Sequence, residues 1–265
     1  MNKPIGIFDS GIGGLTVAHA VSHLLPNETI IYFGDTAHLP FGDKSPQLIH
    51  SFVKGITNFL INEKNCKAVV IACNTASATS YEYLRDQFKG HIPIINVIDP
   101  IIEAIVSNKT HKKIGLIATK TTIESGVYQE KMNRRNPDIL MEVLPTPLLA
   151  PMIEEGFSKD KISSTVIENY LSNPKFKNID ALILGCTHYV LIRDEINDFF
   201  NAKVKLYDST EILALKMIEI FEKEGLLNQE KKQPNAFFVS DYTISFQNSA
   251  TRFYGENINL ELKTL

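Results

Sequence analysis

The sequence has few cysteines and no long apolar segment, and each shortage excludes a class of protein. Its three cysteines, Cys66, Cys73 and Cys186, are an odd number at long spacing. This argues against a disulfide framework and for a reducing compartment, so we expect a cytoplasmic protein. Nowhere do about eighteen apolar residues follow one another, which excludes a membrane span. The apolar stretch within residues 1–10 meets Asp9 too early for a secretory signal peptide.

An excess of charge of one sign is also missing. The 27 Lys and Arg residues nearly balance the 30 Asp and Glu residues, for a net charge of -3, and no block of like charges occurs. Nucleic acid is therefore not expected as a partner. A hydrophobic fraction of 44% and a charged fraction of 22% are typical of a globular protein. A length of 265 residues allows one large α/β domain or two smaller ones.

Short apolar runs alternate with helical patterns along the chain. Runs that are apolar on successive residues predict buried parallel strands at 5–8, 30–33, 68–72 and 92–96. A helical apolar stripe covers 47–62, with Ser45 as N-cap and Pro46 in the first turn. The alternation restarts with strands at 113–119, 139–145, 181–185 and 204–208 and helices near 121–135 and 209–225. A last strand, helix and strand could pack on either half.

This pattern predicts an α/β fold of two similar domains, each with a mostly parallel sheet flanked by helices. Two strands, one in each half, end in a cysteine: "ACNTASA" contains Cys73 and "LGCTHYVL" contains Cys186. Ligands of open α/β sheets bind at the carboxyl ends of the strands. A thiol at a helix N-terminus is expected to have its pKa lowered from about 8.5. His188, two residues after Cys186, could exchange or stabilise a proton.

Two further loops are expected at the same edge of the first sheet. "FDSGIGGLT" places Asp9 and Ser10 before a glycine-rich turn, but its spacing fits neither dinucleotide-binding nor P-loop motifs, so a tight strand-to-helix turn is the alternative. "FGDTAHLPFGDKS" follows the second strand. Its position makes a binding role plausible.

Other functions remain open on the residues alone. Zinc could be held by cysteines, a histidine and Asp9, although only Cys186 and His188 are closely spaced, so no metal is expected. A Cys–His protease or transferase would leave the second strand-end thiol unused. A two-domain ligand-binding module would bind without turnover and use neither thiol. Cys66 is expected to be a small buried hydrophobe. Two matched thiols suit a reaction that removes a proton from one face of a carbon and returns one to the other.

The motifs "GIFDSGIGGLTV", "YFGDTAHLPFG", "ACNTASA" and "LGCTHYVL" resemble, in order and spacing, those of the glutamate racemase family of cofactor-independent racemases. The resemblance implies two α/β domains with the active site in the cleft between them, and a bacterial role supplying D-glutamate for peptidoglycan. It implies that Cys73 and Cys186 are the acid/base pair, with no cofactor. By the same resemblance, Asp9, His188 and Glu154 assist the thiols.

The resemblance also implies the remaining site residues and partners. The substrate would be L- or D-glutamate, held by Asp9, Ser10, Phe41, Gly42, Asn74, Thr75, Thr187 and His188. We expect a homodimer, a first domain of 1–97 plus 208–265 and a second domain of 98–207. The chain departs from the family pattern at His38, where Arg is common, at Phe41, where Tyr is usual, and at Val190, where Pro often follows.

Overall fold

A computed structural model of the protein describes residues 2–231 and 233–265. Within this part of the chain, strands and helices alternate from one end to the other. The strands are β1 (Ile5–Asp9), β2 (Ile30–Gly34), β3 (Ala68–Ile71), β4 (Ile94–Asn96), β5 (Lys113–Ala118), β6 (Leu140–Pro145), β7 (Ala181–Gly185), β8 (Lys205–Tyr207), β9 (Ala236–Val239) and β10 (Leu260–Leu262).

The α-helices connect these strands. They are α1 (Leu15–Leu24), α2 (Pro46–Asn58), α3 (Asn74–Gln87), α4 (Ile98–Ser107), α5 (Lys120–Glu124), α6 (Val127–Arg135), α7 (Leu149–Glu154), α8 (Lys161–Leu171), α9 (Arg193–Phe199), α10 (Ser209–Glu224) and α11 (Ile244–Tyr254). Short 3₁₀ turns cover Thr36–His38, Phe41–Asp43, Pro174–Phe176 and Thr187–Ile192, and a π turn, Phe59–Glu63, follows α2.

The strands form two sheets in which every pair is parallel. The first sheet has the order β10-β9-β2-β1-β3-β4 and the second has the order β6-β5-β7-β8. We call each sheet with the helices that connect its strands a lobe. In the first sheet the strand order reverses between β1 and β3, and in the second it reverses between β5 and β7. Such switch points open a crevice at the carboxyl ends of the strands, where ligands of these sheets bind.

The lobes share one hydrophobic core. An apolar cluster on one face of the first sheet continues into the second lobe and includes Cys186. Helix α10 packs against α1 and α4 within this region. A separate cluster fills the other face of the first sheet and includes Cys73. The two strand-end thiols therefore belong to different packed regions.

The α/β class and most predicted elements are confirmed. Ser45 caps α2 by accepting a hydrogen bond from the Leu48 amide, and Pro46 is in the first turn. The predicted helix at 121–135 is wrong as a single helix, because a break near residues 125–126 divides it into α5 and α6. The last strands, whose position the sequence left open, extend the first sheet beyond β2.

None of the helices in the described residues combines the length and the apolar character that crossing a bilayer requires.

Candidate active site

A cavity of about 180 Å³ lies where the carboxyl ends of the two sheets face each other. Both switch points contribute to it, since β1 and β3 lead into Ser10 and Cys73, and β5 and β7 lead into Thr119 and Cys186. Its lining is Ser10, Gly11, Leu39, Pro40, Phe41, Gly42, Cys73, Asn74, Thr75, Thr119, Ala150, Pro151, Glu154, Gly185, Cys186, Thr187 and His188. Every predicted site residue except Asp9 is in this set.

Cys73 lies at the N-terminus of α3, as predicted, but the pKa of its thiol is raised and not lowered as expected. Its Sγ accepts a hydrogen bond from the Ala76 amide at 3.4 Å and lies 3.6 Å from the Ser10 hydroxyl. Burial, followed by the negative charge of Asp9, raises the pKa of the Cys73 thiol to about 12. These effects outweigh the helix terminus, so Cys73 is held as a protonated thiol near neutral pH.

Asp9 lies directly behind the cavity at the end of β1 and is fully buried. Its Oδ2 accepts a hydrogen bond from the Gly11 amide at 3.0 Å, and Oδ1 has no partner within the described chain. Burial raises the pKa of this carboxyl, although His188 and the Gly11 and Gly14 amides oppose the shift. Asp9 is thus a buried carboxyl whose charge acts on Cys73, and it does not line the cavity.

Cys186 has a different environment, formed by a chain of side chains within the second lobe. Its Sγ lies 3.6 Å from Nδ1 of His188, and Nε2 of His188 lies 2.8 Å from Oε1 of Glu154. Burial lowers the pKa of His188, but Cys186 and Glu154 outweigh it, and the pKa lies well above its ordinary value. The imidazole is therefore held as an imidazolium between the Cys186 sulfur and the Glu154 carboxylate.

Asn74 and Thr75 begin α3 and face the second lobe. The Tyr128 hydroxyl donates to Asn74 Oδ1 at 2.6 Å, which orients the amide, while Nδ2 is a buried donor with no partner in the described residues. The Thr75 hydroxyl lies 2.9 Å from that of Thr119 and 3.1 Å from that of Thr122. A buried free donor beside a group of hydroxyls can receive a carboxylate.

Thr119 is the main lining residue that the sequence analysis missed. It follows β5 directly, at the switch point of the second sheet. The signal was present, since the run at 113–119 ends in this threonine. It was overlooked because neither a motif nor a thiol marked the position.

The two lobes touch at the first glycine-rich turn. A Cβ on Gly13 would lie 2.5 Å from both Thr187 Oγ1 and His188 Cε1, so this position has no room for a side chain. The Thr16 hydroxyl lies 3.5 Å from the Thr187 carbonyl. "GIGG" therefore lets the first lobe approach the Cys186 loop closely. Within residues 2–231 and 233–265, no group of three or more His, Cys, Asp or Glu residues is placed so that it could hold a metal ion.

Comparison with known proteins agrees with this geometry. The profile of the family described as Asp/Glu/Hydantoin racemase matches residues 15–217. The chain belongs to this family. The glutamate racemase of Neisseria meningitidis serogroup C is 40% identical over 257 residues, which cover 97% of this chain and 94% of that protein.

Two solved racemase structures share the whole architecture. That of the glutamate racemase from Francisella tularensis subsp. tularensis, in complex with D-glutamate, has a TM-score of 0.92 at 38% identity and covers 99% of this chain and 98% of its own. That of the glutamate racemase from Thermus thermophilus, in complex with β-chloro-D-alanine, has a TM-score of 0.88 at 35% identity and covers 100% of this chain and 98% of its own.

The three positions at which this chain departs from the motifs of the family, His38, Phe41 and Val190, do not include either thiol. His38 stacks on Phe52 with ring centroids 3.9 Å apart, and its Nδ1 lies 2.8 Å from Asp35. Phe41 is buried and begins the 3₁₀ turn that lines the cavity. Val190 lies in the 3₁₀ turn after Cys186. None of the three breaks the Cys186–His188–Glu154 chain.

Proposed function

We propose that the protein is a glutamate racemase that interconverts L- and D-glutamate by a two-base mechanism, with Cys73 and Cys186 as the acid/base pair. The observation that carries the proposal is the single cavity lined by one thiol from each lobe. The relatives named glutamate racemase support the choice of substrate. We propose a domain division of 1–97 plus 208–265 and 98–207, which the membership of the two sheets supports.

The proposed reaction begins on L-glutamate with Cys186 as the base. Its thiolate takes the α-proton, and the electron pair left on the α-carbon accepts a proton from the Cys73 thiol on the opposite face. The product is D-glutamate, with Cys186 protonated and Cys73 as thiolate; the reverse reaction exchanges the roles. The imidazolium at His188 and the raised pKa of Cys73 both support the starting state.

The substrate contacts are proposed from the polar groups of the cavity. Asn74, Thr75 and Thr187, with the backbone near Ser10 and Gly42, would hold the ammonium and the two carboxylates. Asp9, His188 and Glu154 would keep the thiols in working protonation states. No cofactor enters this scheme, because the chain supplies both proton-transfer groups.

The direct test is to incubate the purified protein with L-glutamate in D₂O, with a chelator and without added cofactor. We expect optical rotation to decay to zero, and the first D-glutamate formed to carry deuterium at Cα while the remaining L-glutamate stays largely protiated. Retained protium in the product would contradict two separate bases. Binding of glutamate without loss of rotation would favour a ligand-binding module.

Discrimination against aspartate tests the substrate assignment. Aspartate is shorter by one methylene, so its carboxylate cannot reach the same groups while the α-carbon stays between the thiols. One methylene typically changes kcat/KM by about 10 to 200-fold. Equal turnover of both amino acids would reduce the assignment to a general amino-acid racemase.

The setting of the enzyme is also proposed from the resemblance. We infer a cytoplasmic homodimer whose D-glutamate enters peptidoglycan. Light scattering of the purified protein should give twice the mass of the chain, and depletion in the source bacterium should be rescued by external D-glutamate. A fully active monomer would contradict the proposed homodimer.

A further inference from the structure

Helix α11 belongs to the first lobe but contacts the Cys186 side of the site. The Phe253 ring is buried and packs edge-to-face against the His188 ring, with centroids 5.1 Å apart and an interplanar angle of 77°. Arg252, which precedes Phe253, donates hydrogen bonds from Nη2 to the Glu154 backbone carbonyl at 3.0 Å and to the Ser249 hydroxyl at 2.8 Å. Two adjacent side chains of α11 thus hold both members of the His188–Glu154 pair.

The turn after α7 is shaped around this arginine. Gly156 has a φ of +87°, and a Cβ there would lie 2.5 Å from Arg252 Nη1. The guanidinium therefore occupies space that a side chain at residue 156 would fill. Glu154 is the last residue of α7. A hydrogen bond that fixes its backbone carbonyl therefore also fixes the position from which its side-chain carboxylate reaches His188.

The series of contacts from Cys186 through His188 to Glu154, which we call the Cys186 relay, needs such support because both nitrogens of the His188 ring are in use. Nδ1 of His188 faces the thiol and Nε2 faces Glu154, so a rotation of the ring or a shift of α7 would break at least one contact. Cys73 has no such relay, since it is held by Ser10 and the Ala76 amide within the other cluster. Loss of the α11 contacts should therefore affect one thiol only.

We propose that Arg252 and Phe253 are positioning residues, which hold Glu154 and His188 from the opposite lobe so that Cys186 can act as base on L-glutamate. The inference rests on the proposed function and adds to it that the C-terminal helix supports one half-reaction.

Racemisation alone cannot test this, because two enantiomers have equal free energy and kcat/KM must be equal in both directions. Irreversible elimination from the mirror-image pair of threo-3-chloroglutamates removes this constraint. The thiolate takes the α-proton, the Cα–H electron pair forms a Cα–Cβ double bond and chloride leaves. The enamine then tautomerises and is hydrolysed by water to 2-oxoglutarate and ammonium, which a coupled assay detects.

The variants are Arg252→Met, which cannot donate, and Arg252→Lys, which can. Arg134→Met is the matched control, because Arg134 is an exposed arginine on α6 paired only with Glu130 among the described residues. We expect Arg252→Met to lower kcat/KM for the L form by roughly tenfold, within the range of about 100-fold that misplacement of a catalytic group can cause. Elimination from the D form should stay unchanged, which also shows that the variant folds.

Arg252→Lys should recover part of the lost rate, and Phe253→Leu should show the same selective loss if Arg252→Met does not fold. Equal slowing of both enantiomers, or no slowing of either, would overturn the positioning role while wild-type racemisation stands. A wild-type protein that acts on neither glutamate nor its chloro analogue would instead refute the proposed function, and this inference with it.

Discussion

At the scale of single residues, burial and neighbouring charge give the two thiols different surroundings. Burial, followed by the charge of Asp9, raises the pKa of Cys73 to about 12, whereas Cys186 faces the imidazolium of His188. This difference supports the proposed mechanism, in which one thiol donates a proton while the other accepts one. The helix terminus, which the sequence analysis took as decisive at Cys73, is the weaker influence there.

Asp9 illustrates a residue whose proposed role conflicts with stability. Burial raises its pKa from 3.8, so the free energy of unfolding should decrease as the pH rises from that value through the raised one. We expect Asp9→Asn to lose activity, yet at pH 7 to unfold thermally at the same temperature as wild type or higher. The difference in unfolding temperature between the variant and the wild type should narrow towards pH 3.8, the ordinary pKa of this carboxyl. A loss of thermal stability of similar size at both pH values would contradict this reading of Asp9.

Glu154 should help to set the pH above which His188 loses its proton and no longer supports Cys186 as a base. The raised pKa of His188 means that the stabilisation from the imidazolium is complete below its ordinary 6.5 and disappears as the pH rises through the raised value. Glu154→Gln keeps a hydrogen-bond acceptor but removes the charge, so the pKa of His188 should fall. In pH profiles with L-glutamate, kcat/KM should begin to fall on the basic side at a lower pH in the variant than in the wild type. Superimposable profiles would remove Glu154 from the relay.

At the scale of elements, turns at the strand ends bring the thiols together. The tightest approach joins the "GIGG" turn to the Cys186 loop, where a Cβ at Gly13 would lie 2.5 Å from side-chain atoms of Thr187 and His188. We expect Gly13→Ala to displace this loop and to reduce kcat/KM by roughly 100-fold, the order of effect that follows a 1 Å misplacement.

The matched control for that variant is Gly55→Ala in α2, where a Cβ would meet nothing within 4 Å. An alanine inside a helix should stabilise the fold by about 0.5–1 kcal/mol and leave the rate unchanged. Kinetic assays and thermal unfolding of the two variants measure both effects. Wild-type turnover by Gly13→Ala would show that the lobes need not approach this closely.

Elements were predictable where local pattern decides them. The buried parallel strands appear in the sequence as continuous apolar runs. The sequence of α2 likewise contains both its N-cap residue and its apolar stripe. The break between α5 and α6 lies at Gly126, whose φ of +68° is left-handed. Ser125 and Gly126 were a turn signal in the sequence, but the helical pattern on both sides obscured it. Contacts that depend on how the lobes dock, such as Phe253 on His188, have no local signature at all.

At the scale of the whole molecule, two sheets turn their switch points towards one cavity, and this geometry was predictable in outline from two strand-end cysteines. Which residues surround each thiol was predictable only through the motifs. How strongly each thiol holds its proton depends on burial and on charges contributed by both lobes, and a sequence does not contain either quantity. Cys66, the third cysteine, is buried and does not line the cavity, as expected of a small hydrophobe.

The central claim is that each thiol serves one enantiomer, and elimination from the two threo-3-chloroglutamates by Cys73→Ala and Cys186→Ala tests it most directly. Both variants should lose racemisation of glutamate in both directions, since one step always lacks its donor or acceptor. Cys186→Ala should still eliminate chloride from the D form, and Cys73→Ala only from the L form. If both variants processed the same enantiomer, or if Cys186→Ala still racemised glutamate, the two-base mechanism would be wrong.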